Sequence, residues 1–177
     1  MRINSYASTG QAIQAPFTFY YVRDNDWSES HNWDYWNKNF TSAASVDNTV
    51  TVKTIYDPSV SGFALPRTAA FTNFTSSGDN TSNSGQYNVS GSFNKGWNFY
   101  TNGWKTGNTI FFDALGFRDT ANGATGAVMR VGGDGDFWAS GASSASRGRN
   151  LDFNSGGVRP QHAGFRSYGF SVRPVSE

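Results

Sequence analysis

Candidate catalytic carboxylates are few in this chain, and they fall in two short stretches. Asp24, Asp26 and Glu29 lie close enough in sequence to supply the two facing carboxyl groups of a glycoside hydrolase. A solvated acidic loop explains the same three residues. Asp134 and Asp136 stand in a Gly-Gly-Asp-Gly-Asp run that resembles the start of a calcium loop, but the spaced carboxylates and closing Glu of such a loop are missing. The carboxylate pattern therefore predicts no calcium site and gives only weak support to a glycosidase.

Histidine and cysteine, the other side chains of catalysis and metal binding, are almost absent. His31 and His162 are the only histidines, and neither has convergent partners in the sequence. His162 is therefore interpreted as a contact residue in a loop. The chain has no cysteine, which excludes disulfides, thiolate metal sites and a cysteine nucleophile. The sequence predicts no enzyme, no catalytic residue, no bound metal and no cofactor.

Composition favours a single aromatic, loop-rich domain. A length of 177 residues suits one core, and 15 Phe and six Trp take the place of the usual Leu and Ile. Only 15% of the residues are charged, so short strands and one or two short helices at most are expected. The formal net charge of +1 predicts no nucleic-acid partner. No long apolar run is present, which predicts no membrane insertion.

The pattern along the chain predicts an N-terminal arm followed by many short strands. Residues 1–15 are polar and aperiodic and are interpreted as an arm or linker. A strand is predicted at residues 16–23, which are aromatic and β-branched, and another at residues 46–56, which alternate as strands do. Residues 24–39 form either a short helix or an irregular loop pinned by aromatics, and Trp27 to Trp36 within them could be core or a sugar-stacking platform. Further predicted elements are a helical turn at 69–74, loops at 75–85 and 118–126, a turn at 132–135, and strands at 87–93, 97–100, 109–115, 128–131, from 137 onward, 150–153 and 168–175.

The C-terminal third alternates apolar anchors with stretches that show no core-forming pattern. Residues 143–147, 154–157 and 162–165 are rich in Ser, Gly, Asn and Arg, and they separate short apolar steps. Such residues presented on a rigid frame are typical of a protein-binding surface. The predicted anchors are Trp138, Leu151, Phe153, Val158, Pro160, Gln161, Phe170 and Val172.

Several motifs resemble those of the C-type-lectin-fold variable proteins of diversity-generating retroelements. The ending GFSVRPV at 169–175 follows Arg166 and is similar to the end of that family's variable region. The upstream segments KTIYDPSVSGFALP (53–66), NVSGSFNKGWNFYT (88–101) and TIFFDALGFRD (109–119) are similar to its earlier parts. Smaller matching steps are V-x-P at Val158 and Pro160, L-x-F at Leu151 and Phe153, and G-x-x-W-x-S at Gly135, Trp138 and Ser140. Bacteroidales bacteria and their phages carry such proteins, and a Fibrobacter-type major paralogous surface domain is related to them.

The resemblance implies an α+β, C-type-lectin-like fold made mostly of short strands and irregular loops. Formylglycine-generating enzymes share this fold, but their chemistry uses cysteine in many members, so the resemblance implies ligand binding without catalysis. Residues 16–177 would form the binding domain, with a variable region at about 134–175. One departure is Ser59-Val60, which stands where the family often has Cys-Pro. That difference bears on the subfamily and not on the fold.

Residue types in the variable region agree with the family's adenine-directed mutagenesis. Mutagenesis of this kind cannot produce Gln, Glu, Lys, Met or Trp, and between Val131 and Ser176 only Trp138 and Gln161 belong to that set. These two are therefore expected to be fixed positions. Phe137 and Phe165 are expected to point outward, while Tyr168 is open between surface and core. The candidate ligand-binding residues are Asp136, Phe137, Ser143, Ser144, Ser146, Arg147, Asp152, Asn154, Arg159, His162, Ala163, Gly164, Phe165, Ser167 and Tyr168.

Together these observations predict a receptor-recognition protein that displays hypervariable loops. One hypothesis is a receptor-binding protein of a phage tail tip or fibre, located in the virion, for which a homotrimer would be a natural assembly. A second is an adhesin or lipoprotein on the bacterial cell surface. The expected partner in both is a protein or glycan on a target cell. The third hypothesis, a carboxylate-dependent glycosidase, requires a deep cleft with two facing carboxylates.

Overall fold

The computed structural model describes residues 1–15, 17–22, 26–119 and 126–177, and of Arg2 it describes the backbone only. Four sequence predictions fall wholly or partly outside these residues. They are the two ends of the strand at 16–23, the first two residues of the helix or loop at 24–39, the carboxylate of Asp24, and most of the loop at 118–126.

The described chain consists of short strands, one short helix and two 3-10 turns. Helix α1 is Thr9–Gln14, and the 3-10 turns are Thr72–Phe74 and Ser84–Gln86. The strands are β1 Arg2–Asn4, β2 Phe19–Tyr21, β3 Phe63–Ala64, β4 Val89–Ser90, β5 Gly96–Tyr100, β6 Thr109–Asp113, β7 Phe117–Arg118, β8 Val128–Met129, β9 Gly135–Ser144, β10 Arg147–Asn154, β11 Gly157–Phe165 and β12 Val175–Ser176. The expectation of a mainly short-stranded fold with few helices is confirmed. None of the described helices has the length and apolar character needed to cross a membrane.

The longest strands form an antiparallel sheet at the C-terminal end of the chain, in the order β11-β10-β9. Residues 145–146 and 155–156 are the two turns that join them. The stretches predicted as loops at 143–147 and 154–157 contain these two tight turns with the adjoining strand ends, whereas 162–165 lies wholly within β11, where the prediction of a loop was wrong. Strand β11 contains Gly, Pro and His, which are poor strand formers, but its pairing with β10 overrides those propensities.

A second antiparallel sheet, β4-β5-β6, packs on one face of the C-terminal sheet through an aromatic core. Phe74 stacks on Phe99 with ring centroids 4.0 Å apart, and Phe112 meets Phe137 edge-on at 5.0 Å. Phe153 is fully buried among these rings. Burial of one such side chain contributes roughly 1.5–3 kcal/mol, so phenylalanines supply most of this core's stability. The predicted anchors Leu151, Phe153 and Val158 are confirmed as core residues.

Residues 1–15, interpreted from sequence as an arm, contain two regular elements. Strand β1 pairs in parallel with β2. Helix α1 begins with a capping box, in which the Ser8 side chain accepts from the Gln11 backbone N–H and the Gln11 side chain accepts from the Ser8 N–H. The Ser-x-x-Gln spacing that produces this box is visible in the sequence.

The strand predicted at 46–56 is absent, and this prediction was wrong. The backbone of Val52 instead bonds into the loop at 37–39, accepting from Lys38 N and donating to Asn37 Oδ1, both at 2.9 Å. Val50, Val52 and Ile55 are exposed. Alternation alone does not make a strand, because the segment finds no ladder partner and only a single bridge joins Lys53 to Asn37. The strand predicted at 168–175 is likewise reduced to isolated bridges at Gly169 and Ser171, followed by β12.

Candidate ligand-binding site

One end of the C-terminal sheet brings together about half of the candidate residues. Arg147 on β10 pairs with Ser144 on β9 and with Phe165 on β11, so that all three strands contribute to one row. Beside this row, Arg166 N donates to Ser146 O across 2.9 Å. We call this region the turn-end surface. It comprises Ser143, Ser144, Ser146, Arg147, Ala163, Phe165 and Tyr168.

Three side chains of the turn-end surface, those of Arg147, Phe165 and Tyr168, are held in place by neighbours but remain partly exposed. The Arg147 guanidinium lies 3.8 Å from the centre of the Phe165 ring and donates through Nη1 to Ala163 O at 2.7 Å. The edge of Phe165 meets Tyr168 with centroids 5.5 Å apart. All three residues are half-buried. A guanidinium has five N–H donors, so Arg147 retains donors for a ligand while its aromatic support fixes its position.

A second group of candidates lies farther along the same strands in a polar network that is buried at Asp136 and half-buried at Asp152 and Arg159. Asp136, Asp152 and Arg159 occupy one cross-strand row, in which Arg159 Nη1 contacts Asp152 Oδ1 at 2.5 Å. Asn150 Nδ2 donates to Asp136 Oδ1 at 3.1 Å, and Gly164 N donates to Asn150 Oδ1 at 2.9 Å. This network connects the three strands to one another.

Asp136 itself is buried, being only 3% exposed, and its Oδ2 has no partner among the described residues. Burial, with a smaller effect from the nearby Asp152 and Asp134 carboxylates, raises the pKa of Asp136 to about 8. The carboxyl group is therefore mainly protonated at neutral pH. The structure places it inside the fold, whereas the sequence predicted a surface contact.

His162 and Asn154 lie in the same half of the sheet and serve its local structure. His162 is half-buried, and burial lowers its pKa, so the ring is neutral at physiological pH. Its Nδ1 is buried and has no partner among the described residues. Asn154 caps the β10–β11 turn, because its Oδ1 accepts from Gly156 N at 2.9 Å.

Phe137 was predicted to point outward, and this was wrong. It is 4% exposed and belongs to the aromatic core, while its neighbour Trp138 is 5% exposed on the opposite face of the sheet. There Trp138 packs against Trp36 at 5.3 Å and Phe170 at 4.4 Å. The alternation was correctly predicted. The prediction failed because both faces of the sheet are covered in this region.

Gly164 and Ser167 are also buried, in contrast to their predicted place on a binding surface. A Cβ added to Gly164 would lie 2.3 Å from the Phe170 ring, so a side chain cannot enter there without displacing that ring. Ser167 is 1% exposed. Neither position can present a freely variable side chain to a ligand.

Arg166 is a buried residue that supports the site. The sequence analysis did not identify it as a functional residue. It is 5% exposed and forms an ion pair with Asp26, which is fully buried. Its Nη1 donates to Asn32 O at 2.5 Å, and its Nη2 donates to Ala145 O at 2.6 Å. Arg166 thereby joins residues 26–39, which carry Trp27, Trp33 and Trp36 and which we call the tryptophan-bearing loop, to the β9–β10 turn. No local pattern in the sequence pairs residues so far apart.

Asp26 is not positioned as part of an open carboxylate pair. Burial raises its pKa, and the charge of Arg166 opposes that rise. Glu29 is exposed, and Asp24 lies outside the described residues. Among residues 1–15, 17–22, 26–119 and 126–177, no group of three His, Cys, Asp or Glu side chains is arranged to hold a metal ion.

The chain matches no family model, no curated protein and no solved structure. The proposals below therefore depend on the geometry of the site and on the resemblance of the sequence motifs.

Proposed function

We propose that this protein is a receptor-recognition module whose turn-end surface contacts a protein or glycan on a target cell. The observation that carries this proposal is the row Ser144–Arg147–Phe165, in which each strand of one sheet contributes a partly exposed side chain. Serine, arginine and aromatic side chains are the types that protein-binding surfaces favour.

The contacts that hold the residues of the turn-end surface in fixed positions favour binding. The backbone of all three residues is fixed by strand pairing, and the guanidinium of Arg147 is held against Phe165 and by the Ala163 carbonyl. A surface that is ordered before contact loses little conformational entropy when a ligand arrives. A shallow, pre-organised surface of this kind suits a large partner better than a small substrate.

The motifs at 53–66, 88–101, 109–119 and 169–175 support a finer assignment within the proposal. On their basis we place the chain with the C-type-lectin-fold variable proteins of diversity-generating retroelements, in a phage tail tip or fibre. An adhesin of the same class on a bacterial surface is the alternative location. Cofractionation of the protein with purified virions would support the first location, and cofractionation with bacterial envelopes would support the second.

The binding proposal is tested by staining intact cells with the fluorescently labelled protein. The probe is a panel of Bacteroidales strains measured by flow cytometry. Wild-type protein is expected to stain at least one strain, and the double variant Arg147→Ala/Phe165→Ala is expected to lose roughly 90% or more of that signal, because arginine and aromatic anchors carry most interface energy.

The matched control is Trp104→Ala, which removes an exposed aromatic side chain that is 43% accessible and lies outside the turn-end surface. This variant should stain cells as the wild type does. Equal staining by the double variant, or no staining of any strain by the wild type, would contradict the proposal.

A further inference from the structure

A cleft of about 220 Å³ lies between helix α1, strand β2, the loop that carries Trp27 and Trp36, and the C-terminal sheet. Its lining is mostly aromatic, and its polar lining comes from Thr18, Arg166 and Ser167. We call it the aromatic cleft. The aromatic side chains that line it are Phe19, Tyr20, Trp27, Trp36, Trp138 and Tyr168.

The rings that line the aromatic cleft are braced by other rings. Trp27 stacks on Tyr35 at 5.4 Å, with the two planes 27° apart. Trp36 packs on Trp138 at 5.3 Å. Trp27 and Trp36 are nevertheless only half-buried. Two aromatic walls are therefore held in fixed orientations before any ligand enters.

Three tryptophans that line the cleft have indole N–H groups without an acceptor in the described part of the chain. Among the described residues, nothing accepts a hydrogen bond from the indole N–H of Trp27, Trp36 or Trp138, and none of these nitrogens is sealed from solvent. By contrast, the indole N–H of Trp97 donates to Asn154 O at 3.1 Å. Because solvent reaches these nitrogens, a ligand with acceptor oxygens can replace the water that pairs with them.

The charge in the cleft narrows the ligand class. Arg166 contributes to the lining, and its charge is already balanced by Asp26. No further carboxylate lines the cleft among the described residues, so a cation would be attracted only by the aromatic rings and would be opposed by the guanidinium of Arg166. An apolar chain would displace water from the indole N–H groups without replacing its hydrogen bonds, which costs free energy.

We propose that the aromatic cleft binds one sugar ring, without calcium. One face of a pyranose presents C–H groups, which pack against the electron-rich faces of aromatic rings, and its edge carries hydroxyl oxygens that accept from N–H donors. The volume of about 220 Å³ is below the roughly 300 Å³ at which pockets for drug-sized molecules begin, and it therefore suits a single ring. The proposed sugar site depends on Trp27, Trp36, Trp138 and Tyr20, none of which belongs to the turn-end surface. Tyr168 borders both regions.

The test is saturation-transfer NMR of the intact chain with glucose, galactose, mannose or N-acetylglucosamine, in the presence of EDTA. At least one sugar is expected to bind saturably with a Kd on the order of millimolar, as a ligand of so few atoms allows. Trp27→Leu and Tyr20→Ala should each raise that Kd roughly tenfold, which corresponds to the loss of one aromatic contact. Circular dichroism identifies a variant that fails to fold, and the other variant then decides the result.

Trp104→Ala is again the control and should leave the Kd unchanged, since Trp104 lies outside the cleft. Three outcomes would overturn the proposal. They are the absence of saturable transfer to any of the four sugars, an unchanged Kd in a folded cleft variant, and binding of choline in place of every sugar. Loss of cell staining in the turn-end variants with sugar binding intact would leave this site standing, so the two proposals fail separately.

Discussion

Asp136 shows how a single buried carboxyl group connects the chemistry of the sheet to its stability. Its pKa of about 8 in the folded protein lies far above its ordinary value of 3.8. The folded state therefore keeps a proton that the unfolded chain releases as pH rises through 4. Folding takes up a proton between these two values, so the free energy of unfolding falls as pH rises from about 4 to 8.

Replacing this group with a neutral one should remove that pH dependence. Asp136→Asn is expected to be more stable than the wild type at pH 8, and the difference should shrink by on the order of 3 kcal/mol at pH 5. Urea denaturation at both pH values measures this difference in the free energy of unfolding. Phe137→Leu serves as a control that lowers stability at both pH values alike. Parallel curves for Asp136→Asn and the wild type would rule out a buried, protonated Asp136.

At the residue scale, the sequence predicts which side chains are anchors better than which are exposed. Leu151, Phe153 and Val158 were predicted as anchors because they are apolar and lie in short strand-like steps, and all three are fully buried. Phe137 and Gly164 could not be placed in the same way. Their burial depends on what covers each face of the sheet, and those covering residues are distant in sequence.

Between elements, Arg166 is the connection on which the site depends. Its guanidinium joins the tryptophan-bearing loop to the β9–β10 turn through Asn32 O and Ala145 O, and it balances the buried charge of Asp26. Asn32 is 134 residues away from it in sequence. The Arg166–Asp26 ion pair therefore contacts both the turn-end surface and the aromatic cleft, because Arg166 bonds the β9–β10 turn and also lines the aromatic cleft.

Breaking this pair should cost more than removing both partners. Arg166→Met is expected to destabilise the protein by about 3–5 kcal/mol, because Asp26 is left buried without its counter-ion. The double variant Asp26→Leu/Arg166→Met should recover a substantial part of that loss. Arg173→Met is the matched control, since Arg173 also bonds a backbone carbonyl and covers a ring but has no carboxylate partner among the described residues. Additive losses in chemical denaturation would contradict this account.

The elements themselves were predictable where local pattern and pairing agree. The strands at 97–100 and 109–115 were confirmed in β5 and β6, which pair with each other along their length. The segment 46–56 alternates equally well but has no partner, and β11 has a partner but no alternation. Strand formation in this chain follows the availability of a neighbouring strand, which the sequence does not show.

Across the whole molecule, aromatic side chains account both for the stability of the core and for which faces of the C-terminal sheet are covered. Phenylalanines fill the core between the two three-stranded sheets, and tryptophans cover the opposite face of the C-terminal sheet. At the turn-end surface of this sheet, Ser144, Arg147 and Phe165 remain half-buried and can be reached by a ligand. Composition predicted the aromatic β-rich domain, but the arrangement of its two covered faces came from the structure.

The central claim is that the turn-end surface is the part of this protein that varies and binds. Deep sequencing of the codons for residues 134–175 across the source population tests it most directly. The account predicts adenine-directed substitutions concentrated at Ser144, Arg147 and Phe165, with none at Leu151, Phe153 or Gly164, where a new side chain would disrupt the core. Substitutions spread evenly over both sets of codons, or none at the first set, would contradict it.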